Sequence, residues 1–214
     1  MSLWIDAVLV AVVLMNLLVL GSSRLAICIR SVAVQGILLG VMTFVAYEGA
    51  ETLRTAMLGI VGIAVKGIAF PLLLFRALRE AEVRREIEPY VGYNLSILIG
   101  LAILAFSLWL SNRLPLPHPP VSPLIVPVAF FMSLVGLFVI ISRKKALTQV
   151  LGYLVLENGI YAFGVGIAQS APLIVELGVL LDVFVAVFVM GITIFHINRQ
   201  FDHIDTDRMA FLRD

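Results

Sequence analysis

Residues 124–142 read LIVPVAFFMSLVGLFVIIS, nineteen residues without a charge. An α-helix needs about 20 apolar residues to span a bilayer. A barrel strand needs only about 10, and they alternate in polarity; this run is longer and does not alternate. A helix also closes every backbone hydrogen bond within the segment, which lipid demands. Six more segments share this character: Leu3–Leu20, Ala26–Tyr47, Leu53–Phe75, Tyr93–Leu110, Ala146–Ala168 and Leu173–Ile197. The pattern predicts an all-α integral membrane protein of about seven transmembrane helices.

Composition agrees. The chain has 214 residues, 61% hydrophobic and 14% charged, with net charge +1 and mean hydropathy +1.08. Soluble domains are about 45–50% apolar and about 25% charged. That excess excludes an ordinary soluble enzyme and a disordered chain. The near-zero charge offers no surface for nucleic-acid phosphates. One cysteine, Cys28, excludes an internal disulfide, an Fe–S cluster and a thiolate zinc site. His118, His196 and His203 are scattered, and no nucleophile–base pair or phosphate loop is visible. The expectation is a chain with no metal or cofactor of its own and no catalysis by itself. The first span carries Asp6 and no preceding Lys or Arg, unlike a cleaved signal peptide.

Lys and Arg in the loops set direction. Twelve lie on one side: Arg24, Arg30, Arg76, Arg79, Arg84, Arg85, Arg143, Lys144, Lys145, Arg199, Arg208 and Arg213. Only Arg54 and Arg113 lie on the other. This places the N-terminus outside and the C-terminus in the cytoplasm. The outer connection 111–123, SNRLPLPHPPVSP, has five prolines and reads as a stiff extended connector. It divides a four-helix region, 1–110, from a three-helix region, 124–197, which a cytoplasmic tail, 198–214, follows. The stretch 76–88, RALREAEVRREIE, reads as a solvated extension of the third helix.

Ionisable residues deep in a span are costly and face protein or water. Glu157 stands mid-way through the sixth span, with Tyr153 and Tyr161 four residues to either side on its helix face and Asn158 adjacent. It reads as a proton-accepting carboxylate, or as a protonated acid bonded to a neighbouring helix. Lys66 lies deep in the third span; it reads as a relay or gating lysine, or else as a lysine snorkelling toward the inner end or as half of a structural ion pair with an acid on a neighbouring helix. Gly59 and Gly62 share its face and invite a close helix neighbour. Pro71 removes the hydrogen bond to the Gly67 carbonyl, which predicts a kink one turn away. Asp182, in the seventh span, reads as a second carboxylate on the path or as a cap for a lysine or hydroxyl across the helix interface. Glu176, near the outer end, and His196, near the inner end as a proton uptake point, are weaker supporting candidates. The Gly36–Gly40 pair is a small-xxx-small pattern and reads as packing.

The first three and last three spans share one plan, a parallel repeat of the transporter kind. Its register pairs Gln35 with Gln149 and brings Lys66 near the position of Asp182.

The segments SRKKAL, LGYLVLENGIYAFG and LLDVFVAVFVMGI resemble the K subunit of respiratory complex I, over residues 124 to about 199. The whole chain, with its tail HINRQFDHIDTDRMAFLRD, resembles the component E family of hydrogenase-4-type complexes. In the complex I subunit the first carboxylate lies two residues after the helix glycine; here Glu157 follows Gly152 by five, on a similar face at another depth. The resemblance implies a multi-pass subunit of a prokaryotic inner (cytoplasmic) membrane. Its partners would be antiporter-like subunits, a hydrogenase-type membrane anchor and lipid, and redox cofactors would sit in other subunits. Glu157, Asp182 and Lys66 would lie on the proton or cation path of a redox-driven complex. Two alternatives stay open: a structural bridge between larger subunits, and a free-standing small transporter.

Overall fold

The computed structural model describes residues 2–46, 60, 62–80, 89–115 and 120–167. Asp182, Glu176, His196, the seventh span and the tail lie outside them. Among the described residues the regular structure is helical: α1 (Ser2–Gly21), α2 (Leu25–Ala46), α3 (Phe70–Glu80, entered through a π-helical turn, Val65–Ala69), α4 (Tyr93–Ser111), α5 (Ile125–Ser142) and α6 (Ala146–Ile167). Four stretches among the described residues, Leu3–Gly21, Leu25–Met42, Tyr93–Ser111 and Ile125–Ser142, are long and apolar enough to cross a membrane.

Local chemistry sets the breaks. Ser22 and Ser23 follow α1, and the Arg24 amide donates to Ser22 Oγ. Ser122 Oγ accepts from the Leu124 amide as α5 begins, and its hydroxyl donates to Asp6 on α1. Arg143 adopts an extended conformation and ends α5. The Gln149 side chain then reaches back to the Arg143 carbonyl at 3.0 Å, closing the tight turn into α6.

α5 and α6 form the central antiparallel pair, with α1 and α4 beside α5 and α2 and α3 beside α6. Three glycines let the central pair touch backbone to backbone. A Cβ at Gly152 would lie 2.9 Å from the Gly136 carbonyl oxygen, and one at Gly159 2.6 Å from the Ser133 amide. At Gly136 it would strike the Leu156 amide. Such contact suits helices in lipid, where packing rather than hydrophobicity holds them together.

The interior holds two apolar clusters. One, toward the arginine-rich end, contains Leu20, Leu25, Phe70, Val135, Leu151 and Val155. The other, toward the proline-rich loop, contains Leu9, Val12, Leu39, Met132, Tyr161 and Ala162. The outside is apolar too: Leu3, Leu14, Leu98, Phe106 and Trp109 are exposed. A soluble protein rarely shows so broad an apolar surface, and lipid or apolar neighbours suit it.

Candidate functional site

The site forms where the π turn meets α6. Pro71 has no amide hydrogen, and its ring crowds the carbonyl four residues back. The helix widens here: the Phe70 amide bonds the Val65 carbonyl, five residues back. This π turn, Val65–Ala69, ends two residues before Pro71 and carries Lys66.

Gly36 on α2 seats the lysine. A Cβ at Gly36 would lie 2.6 Å from Lys66 Cβ. The contact is reciprocal, because a Cβ at Gly67 would lie 2.6 Å from Ile37 Cγ1. The helix expected against Gly59 and Gly62 is different. A Cβ at Gly62 would meet nothing within 4 Å among the described residues, and Gly59 lies outside them. The close approach to Lys66 comes from the Gly36 side.

The Lys66 ammonium lies 2.9 Å from Glu157 Oε1 and donates a hydrogen bond to Asn158 Oδ1 at 3.2 Å. It also stands 5.0 Å above the centroid of the Tyr161 ring, a favourable cation–π geometry. Lys66 is 8% exposed and Glu157 2%. The contact with Oε1 is a charge contact outside hydrogen-bond alignment, and Oε2 has no hydrogen-bond partner. Burying either charge alone would cost several kcal/mol, which the opposite charge offsets only when geometry is good. Tyr153 takes another place, packed against the cluster at the arginine-rich end. The two tyrosines that share a face with Glu157 therefore divide their contacts.

Lys66 and Asn158 also border a narrow cleft between α2, α3 and α6. Its other walls include Ile29, Ala33, Phe70, Leu74 and Leu154. The cleft runs from the polar group toward the arginine-rich end.

Among the buried polar residues that the sequence does not single out as site residues are Arg143, Asn16 and Gln35. Arg143 is 1% exposed. It donates to the Leu20 carbonyl at 2.8 Å, the Val91 carbonyl at 3.4 Å and Ser96 Oγ at 3.5 Å, and stacks over Tyr93 at 4.6 Å. A cation at the last carbonyls of α1 also suits the helix dipole. Asn16 and Gln35 are fully buried. Their signal in the sequence is a polar side chain inside an apolar span, uncharged where that of Glu157 is ionisable.

Known proteins are similar to this chain. It is 34% identical over 216 residues to Uncharacterized protein Rv0085 of Mycobacterium tuberculosis, covering 100% of this chain and 97% of that protein. It is 26% identical over 148 residues to hydrogenase-4 component E of Escherichia coli K12, covering 69% of this chain and 68% of that protein. The component E of Shigella flexneri gives the same figures. No family model matches the chain, and no solved structure matches it.

Proposed function

We propose that this chain, which belongs to the same family as the mycobacterial protein Rv0085, is a membrane-arm subunit of a redox-driven, ion-translocating complex of the hydrogenase-4 and complex I kind. Lys66 and Glu157 lie on its proton or cation path. The observation that carries this reading is the buried ion pair, 2.9 Å long, held between apolar helices beside a cleft. Buried charges at membrane depth most often mark ion paths. The distant likeness to hydrogenase-4 component E supplies the context of a multisubunit complex. In this reading the chain has no redox cofactor of its own, and it is not catalytic alone. Its neighbours are antiporter-like subunits and a hydrogenase-type anchor. It is a multi-pass protein of the inner membrane, with the arginine-rich end in the cytoplasm and seven spans in all. Asp182 would continue the path in the last span, with Glu176 and His196 as supporting groups.

The chemistry is electrostatic. A proton arriving at Glu157 removes the negative charge that faces the Lys66 ammonium. The ammonium keeps its contacts with Asn158 and the Tyr161 face. Its attraction for a neighbouring anion changes, so each protonation event alters the field felt by the next group. Redox work elsewhere in the complex would bias these charge states and drive ions across.

The test is Glu157→Gln in the intact complex, with ion transport in membrane vesicles measured apart from electron transfer. Loss of transport with electron transfer retained is expected. Unchanged transport in an assembled complex would overturn the reading.

The pair itself favours a second reading, in which Lys66–Glu157 is a structural fastening between α3 and α6. That reading expects Glu157→Gln to abolish assembly, and replacement of both charges to restore it.

A further inference from the structure

We infer that Asn16 and Gln35 hold water in a polar layer that lies between the two apolar clusters on α1, α2 and α6 and extends the Lys66–Glu157 site toward α1. The inference rests on the proposed ion path and adds residues of α1 and α2 to it.

The layer is visible in the order of residues along each helix. On α1, Val12 belongs to the cluster near the proline-rich loop and Val19 to the other; Asn16 falls between them. On α2, Val32 and Leu39 belong to opposite clusters, and Gln35 falls between. On α6, Val155 and Tyr161 divide in the same way, around Glu157 and Asn158. Three helices thus change from apolar to polar and back between the same two clusters. Gly36, next to Gln35, is the residue on which Lys66 is seated.

The polar atoms in this layer are incompletely bonded within the protein. Gln35 is fully buried, and neither Oε1 nor Nε2 has a hydrogen-bond partner. Asn16 donates to the Val12 carbonyl at 2.9 Å, while its Oδ1 has no partner. Glu157 Oε2 has none either. A buried amide left without a partner is costly, and most buried polar atoms in native proteins that lack a protein partner are bonded to ordered water. Gln35 brings two donors and one acceptor, Asn16 an acceptor, and Glu157 an acceptor, a set that suits water molecules with two to four partners each. The narrow cleft beside Asn158 borders the Lys66 edge of the layer. The ligand is therefore water, able to carry a proton between Glu157 and the α1–α2 side of the bundle.

Two measurements test this. In an experimental map of the assembled complex, ordered water within hydrogen-bond distance of the Gln35 amide is expected. An amide packed dry against apolar groups, or bonded directly to another protein group, would overturn the proposal. In vesicles, Gln35→Met, of similar length but without polar atoms, is expected to lower ion transport per electron several-fold while assembly and electron transfer persist. Unchanged transport would overturn it. Should that variant fail to assemble, the map of the unaltered complex decides alone. Loss of transport in Glu157→Gln but not in Gln35→Met defeats the layer and leaves the ion path standing. Unchanged transport in both defeats the path as well.

Discussion

Gly36 and Lys66 meet so closely that a Cβ on the glycine would stand 2.6 Å from the Cβ of the lysine. The obstructing atom belongs to the stem of the side chain next to the backbone, so rotation of the lysine cannot clear it. The helices must part, and the ammonium then moves away from Glu157.

Gly36→Ala should therefore destabilise the assembled protein by about 1–3 kcal/mol, the usual cost of overpacking, and reduce ion transport with it. Gly67→Ala meets Ile37 Cγ1 and Cδ1 instead; these lie beyond the Cβ, so a χ1 change can move them, at the cost of a poorer helical rotamer, and the variant should cost less. Thermal unfolding of the two variants in the same detergent checks the order.

The ion pair predicts a non-additive double substitution. Lys66→Met alone strands Glu157 among apolar helices and should cost about 3–5 kcal/mol. Lys66→Met with Glu157→Gln should recover much of that stability. Transport should stay lost in the double variant, because the charges are gone. Yield of assembled complex and transport, measured side by side, separate fastening from conduction.

Arg143→Lys tests the guanidinium. Its planar fork serves two carbonyls and a hydroxyl at once; a lysine cannot reproduce that geometry. The variant should lose about 1–3 kcal/mol, and its effect should persist in high salt, because the contacts are buried. Denaturation at two ionic strengths is the measurement.

The central pair predicts the most severe glycine substitution. Gly136→Ala drives a methyl group into the Leu156 amide and the Gly152 carbonyl, and neither can rotate away. It should reduce the yield of folded protein more than Gly67→Ala, which quantification of membrane-inserted chain would show.

Much of the helical framework was legible in the sequence. The apolar runs Leu3–Leu20, Tyr93–Leu110 and Leu124–Ser142 differ by no more than a residue at each end from α1, α4 and α5. Lipid forces each span to satisfy its own backbone, so length and composition suffice to find it. Pairing between spans was not legible. Lys66 and Glu157 stand out singly in the sequence, but their meeting depends on a glycine of a third helix and on a widened turn at Pro71. Arg143 looked like one of three loop charges, SRKK. The turn folds it inward, where the end of α1 and the start of α4 supply the carbonyls it needs.

α1 touches the elements around α5 at both ends: Asp6 takes the Ser122 hydroxyl, and the Leu20 carbonyl takes the Arg143 guanidinium. These anchor points lie about 21 Å apart along the helix, at 1.5 Å per residue. Sliding α1 along its axis would break both at once, so it serves as a strut. Displacement during turnover would then fall to α2 and α3, whose crossing rests on bare glycine and an expanded helical turn, while the strut and the central pair keep the carboxylate of Glu157 at a fixed height.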